Sequence, residues 1–202
     1  MFLIPHAIRA GTTSLGGGAS PSPLIHQSLF DGAADTLLTA YTPDVGASWT
    51  EQAGVVKLDG TGGATFTSGT VPVYTFDSGE ADGYWSAEQS STNHFWGIVL
   101  RWTTPDVFFL GWLTANQLIL YESPSFAVRA SSAASVTPGA GKIMKMEASG
   151  TNIKMKYDEL NEISYASATT NQTVTVHGIY CSTGFGSRWA DYNQYTLAGT
   201  LY

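Results

Sequence analysis

Glu80-Ala81-Asp82 sets two carboxylates two positions apart. On an extended strand alternate side chains share a face, so such a pair could divide into nucleophile and proton donor in glycoside hydrolysis. Tyr84 and Trp85 follow on the same strand, and neither is acidic. Glu88 lies eight residues from Glu80, roughly 26 Å along a strand rising about 3.3 Å per residue. No catalytic residue is assigned, because Asp77, Glu80 and Asp82 read as a solvated acidic turn. Asp158, Glu159 and Glu162 mix the two strand faces, and turn composition accounts for them.

A nucleophile relay finds no better support. His6, His26, His94 and His177 are present with many serines, but no Gly-x-Ser-x-Gly elbow occurs, and Gly184-Phe185-Gly186-Ser187 is a glycine turn. Strand alternation puts His177 at an outward or edge position, where a structural role is the expectation. The single Cys181 rules out an intrachain disulfide and any zinc site built on several thiolates. Aromatic side chains are the remaining chemistry, because sugar faces stack on Trp and Tyr. Trp85, Trp96, Trp102, Trp112 and Trp189 all fall in predicted strands, where core packing is the default. Trp85, Tyr192 and Tyr195 are the residues expected to offer glycan stacking, the two tyrosines because they lie near the terminus.

The elements that must position these groups are strands. Ile153, Met155 and Tyr157 alternate with Lys154 and Lys156, a period of two with one wet face. Lys142 to Ala148 precedes it across the turn Ser149-Gly150-Thr151-Asn152, and Asp158-Glu159-Leu160-Asn161 leads onward to Ile163 and Tyr165. Similar units recur around Asp59-Gly60-Thr61-Gly62-Gly63, from Tyr84 to Gln89, from Trp96 to Trp102, from Phe108 to Leu113 and from Leu118 to Tyr121. About twelve to fourteen short strands with frequent turns predict an all-β chain folded as an antiparallel two-sheet sandwich, or jelly roll.

The chain's 202 residues suit one such domain. It is 43% hydrophobic and 12% aromatic, enough to build a sizeable core. Sixteen acids against nine bases give a net charge of −7, which disfavours nucleic acid, whose binding needs Lys and Arg in place of counterions. The charge is uneven: residues 31–122 hold eleven acids and two bases, residues 123–202 five acids and six bases. The expectation is no nucleic acid and no membrane partner, since the densest apolar run, Val107 to Leu113, is short and broken by Gly111.

Residues 11–23, Gly-Thr-Thr-Ser-Leu-Gly-Gly-Gly-Ala-Ser-Pro-Ser-Pro, have a linker composition with almost nothing to bury. The sequence therefore predicts an extended N-terminal arm over residues 1–28 and a sandwich over 29–202. Phe2, Leu3, Ile4 and Ile8 are the expected anchoring side chains of that arm, too apolar to be left in water. Phe2, Leu3 and Ile4 bind weakly once tether ordering is counted, so stable attachment needs several arms and a homo-oligomer.

The order Phe30-Asp31, Ser48-Trp49-Thr50-Glu51, a glycine-rich hairpin, Gly97 to Trp102, Asp106 to Trp112 and Asn116 to Tyr121 resembles the concanavalin A-like, or laminin G-like, jelly-roll domains. Gly141 to Asp158 and Arg188-Trp189-Ala190-Asp191-Tyr192 are similar to that superfamily's second half and closing strand, and the resemblance spans roughly residues 29–202. It implies a two-sheet sandwich from a group that includes lectins, glycanases, adhesion modules and many bacteriophage virion proteins. Its glycanases carry a Glu-x-Asp-x-(x)-Glu strand that Glu80-Ala81-Asp82 begins and Tyr84 or Trp85 fails to finish. Its lectins often hold Ca²⁺ in rim loops, for which Asp77, Glu80, Asp82 and Asn93 are the candidates here; no other metal or cofactor is expected. With the arm and the Ser/Thr-rich surface, the resemblance leads to a non-enzymatic bacteriophage virion protein, a capsid decoration (cement) protein or head or tail fibre component with other virion proteins as partners, and it implies that a trimer is the favoured homo-oligomer. The alternative is a carbohydrate-binding, lectin-like adhesion module for surface glycan.

Overall fold

The computed structural model describes residues 23–90, 96–104, 107–181 and 188–195. Within them the chain forms β1 (Leu24–Ser28), β2 (Thr50–Leu58), β3 (Ala64–Asp77), β4 (Gly83–Gln89), β5 (Trp96–Thr104), β6 (Val107–Leu113), β7 (Leu118–Glu122), β8 (Ala127–Ser131), β9 (Ile143–Ser149), β10 (Asn152–Tyr157), β11 (Leu160–Tyr165), β12 (Val176–Cys181) and β13 (Arg188–Tyr195), with a 3₁₀ turn at Leu38–Ala40. The all-β expectation holds. The hydrogen-bonded order is β11-β10-β9-β4-β13-β3-β12-β5-β6-β7-β8, with β1 beside β13 and β2 beside β3. Every pairing is antiparallel, and only Arg188↔Thr65 and Trp189↔Ala64 join β13 to β3. The path therefore folds into two facing sheets, one carrying β4, β9, β10 and β11 and the other β3, β12, β5, β6, β7 and β8, with β11 approaching β8.

Local sequence explains the hairpins. Ile153, Met155 and Tyr157 are buried while Lys154 and Lys156 stay half-exposed. The β10–β11 turn is Asp158-Glu159, both at positive φ, 53° and 59°, as a two-residue hairpin with mirror-image turn geometry requires. Met144, Met146, Ile153 and Met155 then pack against Ile98, Leu100, Phe109 and Leu120 from the facing sheet. The sheets meet closely at Gly111, where a Cβ would stand 2.4 Å from Met146 Sδ and 3.0 Å from Met155 Sδ. A side chain there would wedge the layers apart.

The boundary expected at residue 28 moves. Leu24–Ser28 pairs with β13 through Leu24↔Tyr195, His26↔Gln194, Gln27↔Asn193 and Ser28↔Tyr192, so the body begins by residue 24. The segment lacks apolar alternation because its inward positions are polar: His26 and Ser28, both fully buried. His26 stacks on Phe76 with ring centroids 3.8 Å apart. Ser28 Oγ lies 3.0 Å from His26 Nε2 and accepts from Trp49 Nε1 at 3.0 Å. Residues 1–22, and with them the anchoring role of Phe2, Leu3, Ile4 and Ile8, lie outside the described residues.

Candidate functional site

The residues singled out by the sequence scatter. Trp85 and Tyr192, expected to offer glycan stacking, are 1% and 0% exposed. Their strands point them between the sheets, Trp85 against His177 at 4.5 Å and Tyr192 against Trp49 and Phe76 at 5.4 and 5.8 Å. No sugar can reach them from solvent. Tyr195 pairs through its backbone with Leu24 and Tyr84, and its side chain lies outside the described residues, as does Asn93.

Asp82 and His177 serve an internal tie. Arg101 in β5 has a fully buried side chain. Its Nη2 donates to Asp82 Oδ1 at 2.9 Å and to the Gly150 carbonyl at 2.7 Å, and its Nη1 to the Ala168 carbonyl at 3.4 Å. Asp82 Oδ2 accepts from the Gly150 N–H at 2.8 Å, so both carboxylate oxygens are engaged. Asp77 Oδ1 accepts from Thr175 Oγ1 at 2.5 Å and from the Gly79 N–H at 3.0 Å. Among the described residues no group of three or more His, Cys, Asp or Glu side chains is placed to hold a metal ion.

His177 corrects an expectation. It lies in β12, flanked by β3 and β5, and is fully buried. Its Nδ1 accepts from the Arg101 N–H at 3.2 Å, which leaves Nε2 to donate to the Glu80 carbonyl at 2.8 Å. That tautomer is neutral, and burial lowers its pKa to about 4. Periodicity alone could not locate it, since which face of β12 is covered depends on the facing sheet.

An unassigned feature occupies the outer face of the β12-β5-β6-β7 sheet. Cross-strand register aligns Thr75, Gly178, Val99, Leu110, Tyr121 and Val128 in one row, and Val73, Tyr180, Gly97, Trp112, Ile119 and Ser131 in the next. Neither row holds a charged side chain. A Cβ on Gly97 would fall 2.3 Å from the Gly111 carbonyl oxygen, so that position stays bare and Tyr180 and Trp112 meet across it, centroids 5.2 Å apart. Ring contacts continue from Trp112 to Tyr121 at 5.7 Å, to Phe126 at 6.3 Å, to Phe108 at 5.8 Å and to Trp102 at 4.8 Å.

Six rings thus form one connected series. Trp102, Phe108 and Tyr180 are its buried backing, Trp112 and Tyr121 are half-buried, and Phe126 is 45% exposed. Burial pushes the Tyr180 phenol up to about 12, with Cys181 and Tyr121 adding to the shift, so Tyr180 is neutral at ordinary pH. Trp102 is buried, as the core-packing default expects, whereas Trp112 is only half-buried on this face. A signal was present in β6, where Phe108, Leu110 and Trp112 alternate with Phe109 and Leu113. An antiparallel sheet with one wet face ordinarily alternates apolar with polar residues.

No family model matches the sequence, and no curated protein does. Solved structures do resemble the fold. The carbohydrate binding module CBM66 from Bacillus subtilis is 13% identical with a TM-score of 0.53, over 73% of this chain and 92% of that one. The exoplasmic/lumenal domain of VIP36 in its Ca²⁺/Man2-bound form is 9% identical with a TM-score of 0.53, over 88% and 92%. A glycosyl hydrolase family protein from Mycobacterium fortuitum is 10% identical with a TM-score of 0.51, over 86% and 100%. At such identities the likeness is one of fold: the antiparallel jelly-roll sandwich stands, and none of the three is described as a virion protein.

Proposed function

We propose that the protein is a non-catalytic carbohydrate-binding module whose ligand lies on the outer face of the β12-β5-β6-β7 sheet. The observation that carries this is the connected ring series that runs from Tyr180 through Trp112 and Tyr121, on two rows without a charged side chain, to Phe126 in the turn before β8. The C–H face of a sugar ring is weakly positive and the face of an aromatic ring negative, so the two pack together while the hydroxyls stay in water. The strip is partly open, from half-buried Trp112 and Tyr121 to the 45% exposed Phe126, and apolar surface of that kind is what a bound ligand would cover. The fold likeness to a carbohydrate binding module and to a Man2-bound domain supports this reading. Glycoside hydrolysis would need a pair of free carboxylates, whereas the aromatic rows hold no acid and both oxygens of Asp82 are taken.

The virion role expected from the arm has no counterpart in these likenesses. As a proposal it is subordinate and compatible: a glycan-binding body could be carried by a particle through residues 1–22. The test is a glycan array read with the full chain and with Trp112→Ala. Binding to a defined set of neutral glycans that Trp112→Ala removes is the expected result. An array left blank by the wild-type chain, or bound equally by both, would sink the proposal.

A further inference from the structure

We infer, resting on the glycan reading of the same face, that its ligand is a single neutral polysaccharide chain lying across the strands, with one sugar residue against each of Trp112, Tyr121 and Phe126. The two half-buried rings and the exposed Phe126 are spaced 5.7 Å and then 6.3 Å, steps close to the span of one pyranose and to the roughly 4.8 Å between neighbouring strands. A chain running from β6 over β7 toward the turn before β8 therefore meets one ring per residue. A lone terminal sugar would use only one of these steps.

Ring orientation narrows the ligand further. Trp112 and Tyr121 are inclined at 57°, Tyr121 and Phe126 at 66°, so no flat surface can lie on all three. A chain whose successive residues turn about its axis can, which points to soluble single chains and away from a crystalline polysaccharide. Charge points to neutral sugars. The rows carry no cation to receive a uronate or sulfate, and the nearby Glu122 carboxylate is turned away into contacts with Arg129 at 2.6 Å and with Thr170.

Phe126 makes the extended mode specific. It has φ +47°, a conformation unfavourable for a bulky residue and one in which Asn or Gly would sit more easily. A strained backbone that presents a 45% exposed ring, aligned with Tyr121 and Phe108, is the kind of outlier that marks a binding position.

The experiment is calorimetric titration of the full chain with neutral gluco-oligosaccharides from disaccharide to hexasaccharide, in the α-1,4, β-1,3 and β-1,4 series, beside pull-down on microcrystalline cellulose. In the series that binds, affinity should rise about tenfold or more with length before levelling off, and Phe126→Asn, which the turn backbone accommodates, should remove about tenfold from the hexasaccharide. Leu160→Ser, 66% exposed at the start of β11, is the control and should change nothing. Equal affinity for disaccharide and hexasaccharide, a hexasaccharide indifferent to Phe126→Asn, or adsorption to cellulose alone would overturn the extended mode and leave the glycan reading standing. A blank wild-type array together with silent titrations would overturn both.

Discussion

On the sheet of β9, β10 and β11 the outward positions Lys145, Lys154 and Lys156 meet Glu159, Glu147 and Glu162, the last two pairs at 3.8 and 3.1 Å. On the sheet of β12, β5, β6 and β7 the outward positions carry Tyr180, Trp112 and Tyr121 instead. Both sheets present the same kind of inner face to one shared core, so the fold does not require the outer faces to differ. The charged face is an ordinary solvated surface, whose exposed pairs are each worth about 0–1 kcal/mol. The aromatic face keeps apolar area in contact with water, an unfavourable arrangement unless something covers it. The contrast is thus informative about function in a way that the core is not.

The largest effect should come from cutting the tie that joins the two sheets. Arg101 reaches from β5 to Asp82 and Gly150 on the other side of the sandwich. Arg101→Met should destabilise the chain by about 3 kcal/mol, since it strands buried hydrogen-bond partners, and urea unfolding should remain a single transition. A loss under about 1 kcal/mol would show the sheets to be held by packing alone.

Acid should separate stability from binding. His26 and His177 both have folded pKa values lowered to about 4 from 6.5, burial being the first cause. The unfolded chain therefore binds protons more readily. The stability linked to these two groups is fully present above pH 6.5 and is lost as pH falls toward 4, by up to about 1.4 kcal/mol per pH unit for each histidine. Urea midpoints should drop across that window, less steeply in His177→Asn, while the glycan affinity of protein still folded stays level, because the aromatic rows contain no acid, amine or imidazole. An affinity that follows the histidine titration would place a charged group in the binding site.

Next in size is the aromatic face itself. Trp112→Ala should weaken glycan binding about thirtyfold, or about 2 kcal/mol, with far-ultraviolet circular dichroism unchanged. Its counterpart on the charged face is the smallest effect. Lys154→Ser and Glu162→Gln should each shift stability by less than about 0.5 kcal/mol and leave affinity alone. A charged-face variant that abolished glycan binding would reverse the assignment of the two faces.

Much of the architecture was legible. The lysine-punctuated alternation of β10 and the polar turns on either side of it are local, and local geometry suffices to make a strand and a hairpin. β1 was missed because His26 and Ser28, polar by type, fill inward positions that a hydrophobic pattern would mark with Val or Leu. The site was less legible. Trp85 and Trp112 look alike in sequence, each a tryptophan within a short strand, yet one is 1% exposed and packed on His177 while the other is half-buried on an outer face beside Tyr180.

Antiparallel strands, the places of most turns and the want of a ready set of catalytic carboxylates follow from residue type and spacing over a few positions. The packing of the two sheets is what makes Tyr192 and His177 interior, lets Arg101 and Asp82 neutralise each other across the sandwich, and lines up Tyr180, Trp112, Tyr121 and Phe126, drawn from separate parts of the chain, on one face. The physical reason is that a strand has two sides of equal standing, and which one is covered is settled by the sheet that packs against it.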